Sequence, residues 1–262
     1  MTDILTGDTR LHLVRRGDGP PLLLIVGLGG RSDFWSGTIE HMAERFDCIS
    51  FDHRKTGKSA GSDVVTRVSV LAEDALAVLD ALGIAQADII GHSLGGAIAQ
   101  HIAVHAPERV KRLVLSASWA GPTDYFKALF DLRRQVLQQC GPEAYLMHGN
   151  MLGNPGWWGM AHHATMMAGI GARLKAFAGT ATEMERMDAV GAHDLRDRLP
   201  GVRAETMVIC ARDDSITPLP LSEELARLVP GARLEILETG NHFAPVTTPA
   251  LWRARVDGFL NR

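Results

Sequence analysis

Cysteine is scarce in this chain: Cys48, Cys140 and Cys210 are the only three in 262 residues. An odd, scattered set builds no disulfide framework, and no two of them stand at zinc-ligand spacing. An excess of basic charge is also missing. Lys and Arg number 27 against 30 Asp and Glu, a net charge of −3. That balance excludes the basic stripe of a nucleic-acid binder and equally a disordered acidic chain. Long apolar runs are absent: the longest, Pro20 to Gly30, is about half of the ~20 residues a membrane span needs. The first residues, Met1 to Asp8, have neither a basic start nor an apolar core, so no signal peptide is expected. These absences point to a cytoplasmic protein with no membrane or nucleic-acid partner. There are no repeats, charge runs or low-complexity segments either.

What is present is an ordinary globular balance, 46% apolar and 22% charged, with 27 glycines. At 262 residues the chain is one large domain, or a domain carrying an insertion. Short apolar runs alternate with helical patterns. Strands are expected at Leu11–Arg15, Leu22–Val26, Cys48–Phe51, Asp88–Gly91, Leu113–Ser116, Thr206–Ala211 and Arg233–Leu237. Several are continuously apolar, as parallel strands covered on both faces should be. Helices are expected at Arg67–Leu82, Leu94–His105 and Ala250–Leu260, the first closed by Gly83. This order predicts a mostly parallel, doubly wound α/β sheet. From Trp119 to Asp197 the alternation stops, and helix-compatible sequence is broken only at Gly141-Pro142 and Asn154-Pro155-Gly156. Seven of the ten methionines fall between Met147 and Met187. The expected division is a core over 1–118 and 198–262, with a helical cap inserted at 119–197. Such a methionine-rich segment serves equally well as ordinary core packing or as the lining of a pocket.

Glycine concentrates where chemistry is expected. Gly91-His92-Ser93-Leu94-Gly95-Gly96 stands between the strand ending at Gly91 and the helix opening at Leu94. In that strand–turn–helix setting a Gly-x-Ser-x-Gly lifts its serine above the sheet as a nucleophile. A serine needs a base and the base an orienting acid. His242, in the loop after Arg233–Leu237, is the best placed of eleven histidines. His92 is too close to Ser93 along the chain, since neighbouring side chains diverge on this turn. Asp214, at the end of Thr206–Ala211, is the expected acid; Asp213 and Asp124 are the alternatives. The order Ser93, Asp214, His242 is that of a hydrolase triad. Gly27-Leu28-Gly29-Gly30 lacks the spacing of a nucleotide-binding loop and has no following P-loop lysine. The amides of Leu28 and Leu94 are the expected oxyanion donors. Trp119, Met147, Met151, Trp158 and Phe243 are the candidate pocket walls. His148, His162 and His163 lack a carboxylate at ligand spacing, so no metal is expected, nor any cofactor.

Together these residues resemble the α/β-hydrolase superfamily over Leu22–Ala117 and Thr206–Leu260, with the insertion in the family's usual cap position. Asp52-His53-Arg54-Lys55-Thr56-Gly57-Lys58-Ser59 is similar to a loop of that family, but Lys55 stands where glycine is usual. A serine nucleophile argues against the haloalkane dehalogenases, which carry aspartate there. Gly27-Leu28-Gly29-Gly30, Ile209 to Asp214 and Leu115 to Trp119 most resemble aminoacrylate hydrolases of pyrimidine breakdown. The chain is also similar to 3-oxoadipate enol-lactonases and small esterases. The resemblance implies a cofactor-independent serine hydrolase for a small-molecule ester or lactone, a carboxylic ester hydrolase. C–N or C–C bond cleavage on the same triad is the alternative. A ligand receptor with an idle triad is the reading from another class. A homodimer is left open.

Overall fold

The computed structural model describes residues 2–261. In chain order the strands are β1 Thr2–Thr6, β2 Thr9–Arg16, β3 Pro21–Ile25, β4 Asp47–Phe51, β5 Ala87–His92, β6 Val110–Ser116, β7 Glu205–Ala211 and β8 Arg233–Leu237. The helices are α1 Ser36–Met42, α2 Val68–Ala81, α3 Leu94–His105, α4 Asp124–Gly153, α5 Gly156–Ala161, α6 His163–Lys175, α7 Thr180–Ala192, α8 Leu219–Leu228, α9 Ala244–Thr247 and α10 Pro249–Leu260. One sheet runs β1-β2-β4-β3-β5-β6-β7-β8, antiparallel at β1–β2 and β2–β4 and parallel elsewhere. This is the mostly parallel α/β sheet that the alternation of strands and helices predicts.

The continuous apolar runs have a direct structural reading. Successive side chains of one strand enter two cores, one on each face of the sheet. Leu23, Ile25, Ile49, Ile89, Leu113 and Val208 pack with α2 and α3. Leu22, Leu24, Cys48, Ile90, Val114 and Ile209 pack with Trp35 and with Trp252, Val256 and Phe259 of α10. Both parities are therefore apolar, and no alternation is visible in the sequence.

Chain order reverses between β3 and β5: β4 lies on the far side of β3, and β6 on the far side of β5. Loops at the carboxyl ends of such a pair splay apart and leave a crevice. The loops there are Val26–Gly30 and the turn at Ser93.

Four helices, α4 to α7, occupy the chain between β6 and β7. α4 is interrupted at Gly141 (φ 83°, ψ 178°), followed by Pro142, and Pro155 precedes α5. Both interruptions fall at the expected breakers. Four elements escape the sequence pattern: β1, α1, α8 and α9. β1 is a five-residue edge strand ending in threonines, paired only with β2. α8 is also missed, since its helical pattern follows a proline-rich turn. Among the described residues no helix is long and apolar enough to cross a membrane. The three cysteines are free thiols.

Candidate active site

Ser93 sits between β5 and α3 at φ 55°, ψ −120°, a backbone region that a non-glycine residue enters at a cost of about 1–3 kcal/mol. Neighbouring groups hold it there. Its amide donates to the Ser116 carbonyl at 2.8 Å, and its carbonyl accepts from Gly96 N at 2.8 Å and Ser118 Oγ at 3.0 Å. The turn also needs close approach of backbone. A Cβ on Gly95 would fall well inside contact distance of the Ile25 carbonyl, so α3 can meet β3 only with glycine there.

The loop after β8 brings in His242. Its Nδ1 lies 3.0 Å from Asp214 Oδ2 and 3.2 Å from Oδ1. Asp214 is buried and fixed in turn: Oδ1 accepts from the amides of Ile216 (2.9 Å) and Thr217 (2.8 Å), and Oδ2 from Thr217 Oγ1 (2.8 Å). Asp213 does something else. It accepts from Thr239 Oγ1 at 2.9 Å and Asn241 N at 2.8 Å, tying down the loop that carries His242. Asp124 opens α4 with its side chain fully exposed, beside Lys127. Of the three aspartates, only Asp214 touches the imidazole.

Ser93 and His242 both line one cavity of about 590 Å³. His92 lies on the same wall, stacked on Phe34 with ring centroids 4.8 Å apart. Burial holds its imidazole far below the ordinary histidine value, so it stays neutral. The loop after β3 covers the serine: a Cβ on Gly27 would lie 3.1 Å from Ser93 Cβ. Gly30 N donates to Gly27 O at 3.0 Å, which directs the Leu28 amide of the same planar peptide the opposite way. Leu94 is the first residue of α3, and its amide has no acceptor within the helix.

A buried arginine clamps this loop from α7. Arg186, 1% exposed, donates from Nε to Leu28 O (2.7 Å), from Nη1 to Thr56 Oγ1 (3.0 Å) and from Nη2 to His53 Nδ1 (2.9 Å). His53 can accept because burial, with Arg186 alongside, keeps it neutral. The guanidinium lies against Gly30 (φ 67°), where a Cβ would collide with it. Lys55, the departure from the family loop, adopts φ 61° although it is not glycine, and its Nζ pairs with Glu185 of α7 at 2.9 Å.

Comparison with known proteins bears on this arrangement. Residues 20–140 match the family described as the alpha/beta hydrolase fold. A protein of Azorhizobium caulinodans named "Putative carbamate hydrolase RutD" is 35% identical, over 97% of this chain and 96% of its own. The chain belongs to the α/β-hydrolase family. A hydrolase from Pseudomonas aeruginosa superposes with a TM-score of 0.90 at 26% identity, covering 100% of this chain and 98% of that one. An enol-lactonase from Burkholderia xenovorans does so at 0.86 and 22%, covering 97% of each chain, and speaks for the fold alone.

In this α/β-hydrolase, the expected pocket walls divide. Trp158 and Phe243 line the cavity. Trp119, Met147 and Met151 lie off it. Trp119 follows β6 directly and turns into the core, 4.8 Å from the Phe126 ring and edge-on to His193. Met147 is half-buried on α4 against the apolar core, and Met151 points outward, 58% exposed. Sequence reasoning missed the polar part of the wall: Arg133 and Tyr145 of α4, Arg173 of α6 and Glu183 of α7. For the two arginines and Glu183 the only sequence signal is charge within a helical stretch, and Tyr145 has none.

Proposed function

We propose that this hydrolase works through an acyl-enzyme. Ser93 Oγ attacks a carbonyl carbon, His242 takes its proton, and Asp214 holds the imidazole in the required tautomer and orientation. The amides of Leu28 and Leu94 receive the developing oxyanion at the N-terminus of α3, where the helix dipole favours negative charge. His242 then returns the proton to the leaving group, and water, activated by the same imidazole, releases the acyl group. The 119–197 segment acts as a cap, and the setting is cytoplasmic, where free thiols persist. The observation that carries this reading is the buried Asp214–His242 pair, 3.0 Å apart, sharing one cavity with a serine at φ 55°.

The bond broken is of the C–N type, as in a carbamate or amide, in place of the ester or lactone that the sequence suggests. Support comes from a relative of that name at 35% identity over nearly the whole of both chains. The enol-lactonase likeness lies below the identity that would argue for substrate. A screen of matched carbamates, amides, esters and lactones against the wild type and Ser93→Ala tests it. Ser93-dependent turnover of C–N substrates is expected. Turnover of esters and lactones alone would replace this reading with ester hydrolysis. A single burst with product retained would indicate a receptor.

A further inference from the structure

A chain of buried polar side chains runs from the nucleophile turn into the protein. The Ser93 carbonyl accepts from Ser118 Oγ at 3.0 Å, besides the Gly96 and Ala97 amides at 2.8 and 3.3 Å. Ser118 Oγ lies 3.3 Å from Gln100 Nε2, which also donates to the Trp119 carbonyl at 3.1 Å. Gln100 Oε1 lies 3.3 Å from Nε2 of His193, the residue that closes α7. Ser118, Gln100 and His193 are all buried, and none of them lines the cavity that holds Ser93.

Each proton in this chain has one place to go. The Trp119 carbonyl can only accept, so the Gln100 NH2 faces it and the amide oxygen faces His193. His193 therefore donates from Nε2. Burial draws its pKa down to about 4, so the ring is neutral and Nδ1 carries no proton. The Gln100 NH2 offers Ser118 no acceptor, and the serine proton goes to the Ser93 carbonyl. Close packing keeps Ser118 in place, since a Cβ on Gly96 would lie 2.5 Å from its Cβ and Oγ. Gln100 stands about one turn beyond Gly96 on the same face of α3.

The Ser93 carbonyl and the Leu94 amide belong to one planar trans peptide and point opposite ways. A donor that fixes the carbonyl therefore fixes the direction of the amide. Among the described residues, Ser118 is the only side chain that grips this carbonyl. We propose that Gln100 and His193 are positioning residues that act through Ser118 to aim the Leu94 amide at the oxyanion. The proposal rests on the acyl-enzyme reading given above, in which that amide is a donor. Donors aligned in one sense polarise one another, so loss of one loosens the next. Neither residue touches the substrate, and their effect falls on the tetrahedral state.

4-Nitrophenyl acetate and phenylboronic acid test this together. The ester reports acylation of Ser93, and the boron takes Ser93 Oγ into a tetrahedral adduct that mimics the oxyanion intermediate. Gln100→Met keeps the volume and removes donor and acceptor, while His193→Phe keeps the ring and removes the N–H. Each should lower kcat/KM and raise the boronic acid Ki by the same factor, about 10–10²-fold for Gln100→Met and less for His193→Phe. His193→Gln can still donate and should keep most of both. Val78→Ala, a truncation in the core face of α2, should lower the Tm and move neither quantity. If Gln100→Met does not fold, His193→Phe decides. Boronic acid bound as tightly by the variants as by the wild type overturns the proposal, as does a fall in kcat/KM with no matching rise in Ki. A wild type that neither cleaves the ester nor binds the boronic acid overturns the acyl-enzyme reading, and the proposal with it.

Discussion

At the scale of single residues, two adjacent aspartates have separate tasks. Asp214 faces His242 Nδ1, while Asp213 binds the backbone of the loop that carries it. Asp214→Asn should lower kcat on the order of 10³–10⁴-fold by favouring the wrong tautomer. Asp213→Asn should leave most of kcat and lower the Tm, because only the loop loses an acceptor. Steady-state kinetics beside thermal melts separates the two; equal losses in kcat would refute the division. In the sequence Asp213 and Asp214 are equivalent neighbours at a strand end. What distinguishes them is that the turn at Ile216–Thr217 donates two amides to Asp214, and no residue pattern reports that. Ser93 and His242 are legible because strand–turn–helix and strand–loop–helix settings leave local signatures. Trp119 was misread for a converse reason: its position after β6 is local, but the core it enters is assembled from α4 and the loop at His193.

Among elements, the join between α7 and the loop after β3 matters most. With Arg186 replaced by Gln, the Leu28 carbonyl loses its buried donor and the loop over Ser93 loosens. The expected result is a fall of about 10²-fold in kcat with a smaller change in KM, since a misplacement near 1 Å costs that much. A change confined to KM would assign Arg186 to substrate binding instead. The contact of α3 with β3 is less forgiving. Gly95→Ala should destabilise by about 1–3 kcal/mol or more in urea denaturation, because the added methyl meets backbone that cannot yield. Element order was largely legible, since seven of the eight strands carry continuous apolar runs or clear β-rich stretches. β1 was not, being short, polar-ended and at the edge.

Over the whole molecule, several histidines are buried in the neutral form. Burial pulls His193 down to about 4, and His53 and His92 lie well below the ordinary 6.5. In the unfolded chain each takes up a proton near pH 6.5, so below that pH the unfolded state binds more protons than the native one. Stability is therefore complete above about pH 6.5 and declines as the pH falls. His193 alone contributes ~1.4 kcal/mol per pH unit down to about pH 4, where its share of the loss ends. Urea denaturation at pH 7, 6 and 5 should show this decline, less steeply in His193→Gln. A flat profile would mean that these imidazoles are not neutral in the fold.

The guanidinium of Arg186 belongs to the helices between β6 and β7, yet the groups it satisfies, Leu28 O, Thr56 Oγ1 and His53 Nδ1, all belong to loops at the sheet. This helical segment is therefore not an interchangeable part. Exchanging it for one of another specificity, or trimming it away, would strip three buried groups of a shared donor and leave the loop above the serine unbraced. A graft that transplants selectivity into this scaffold has to bring an arginine to the same place, or accept a slower catalyst.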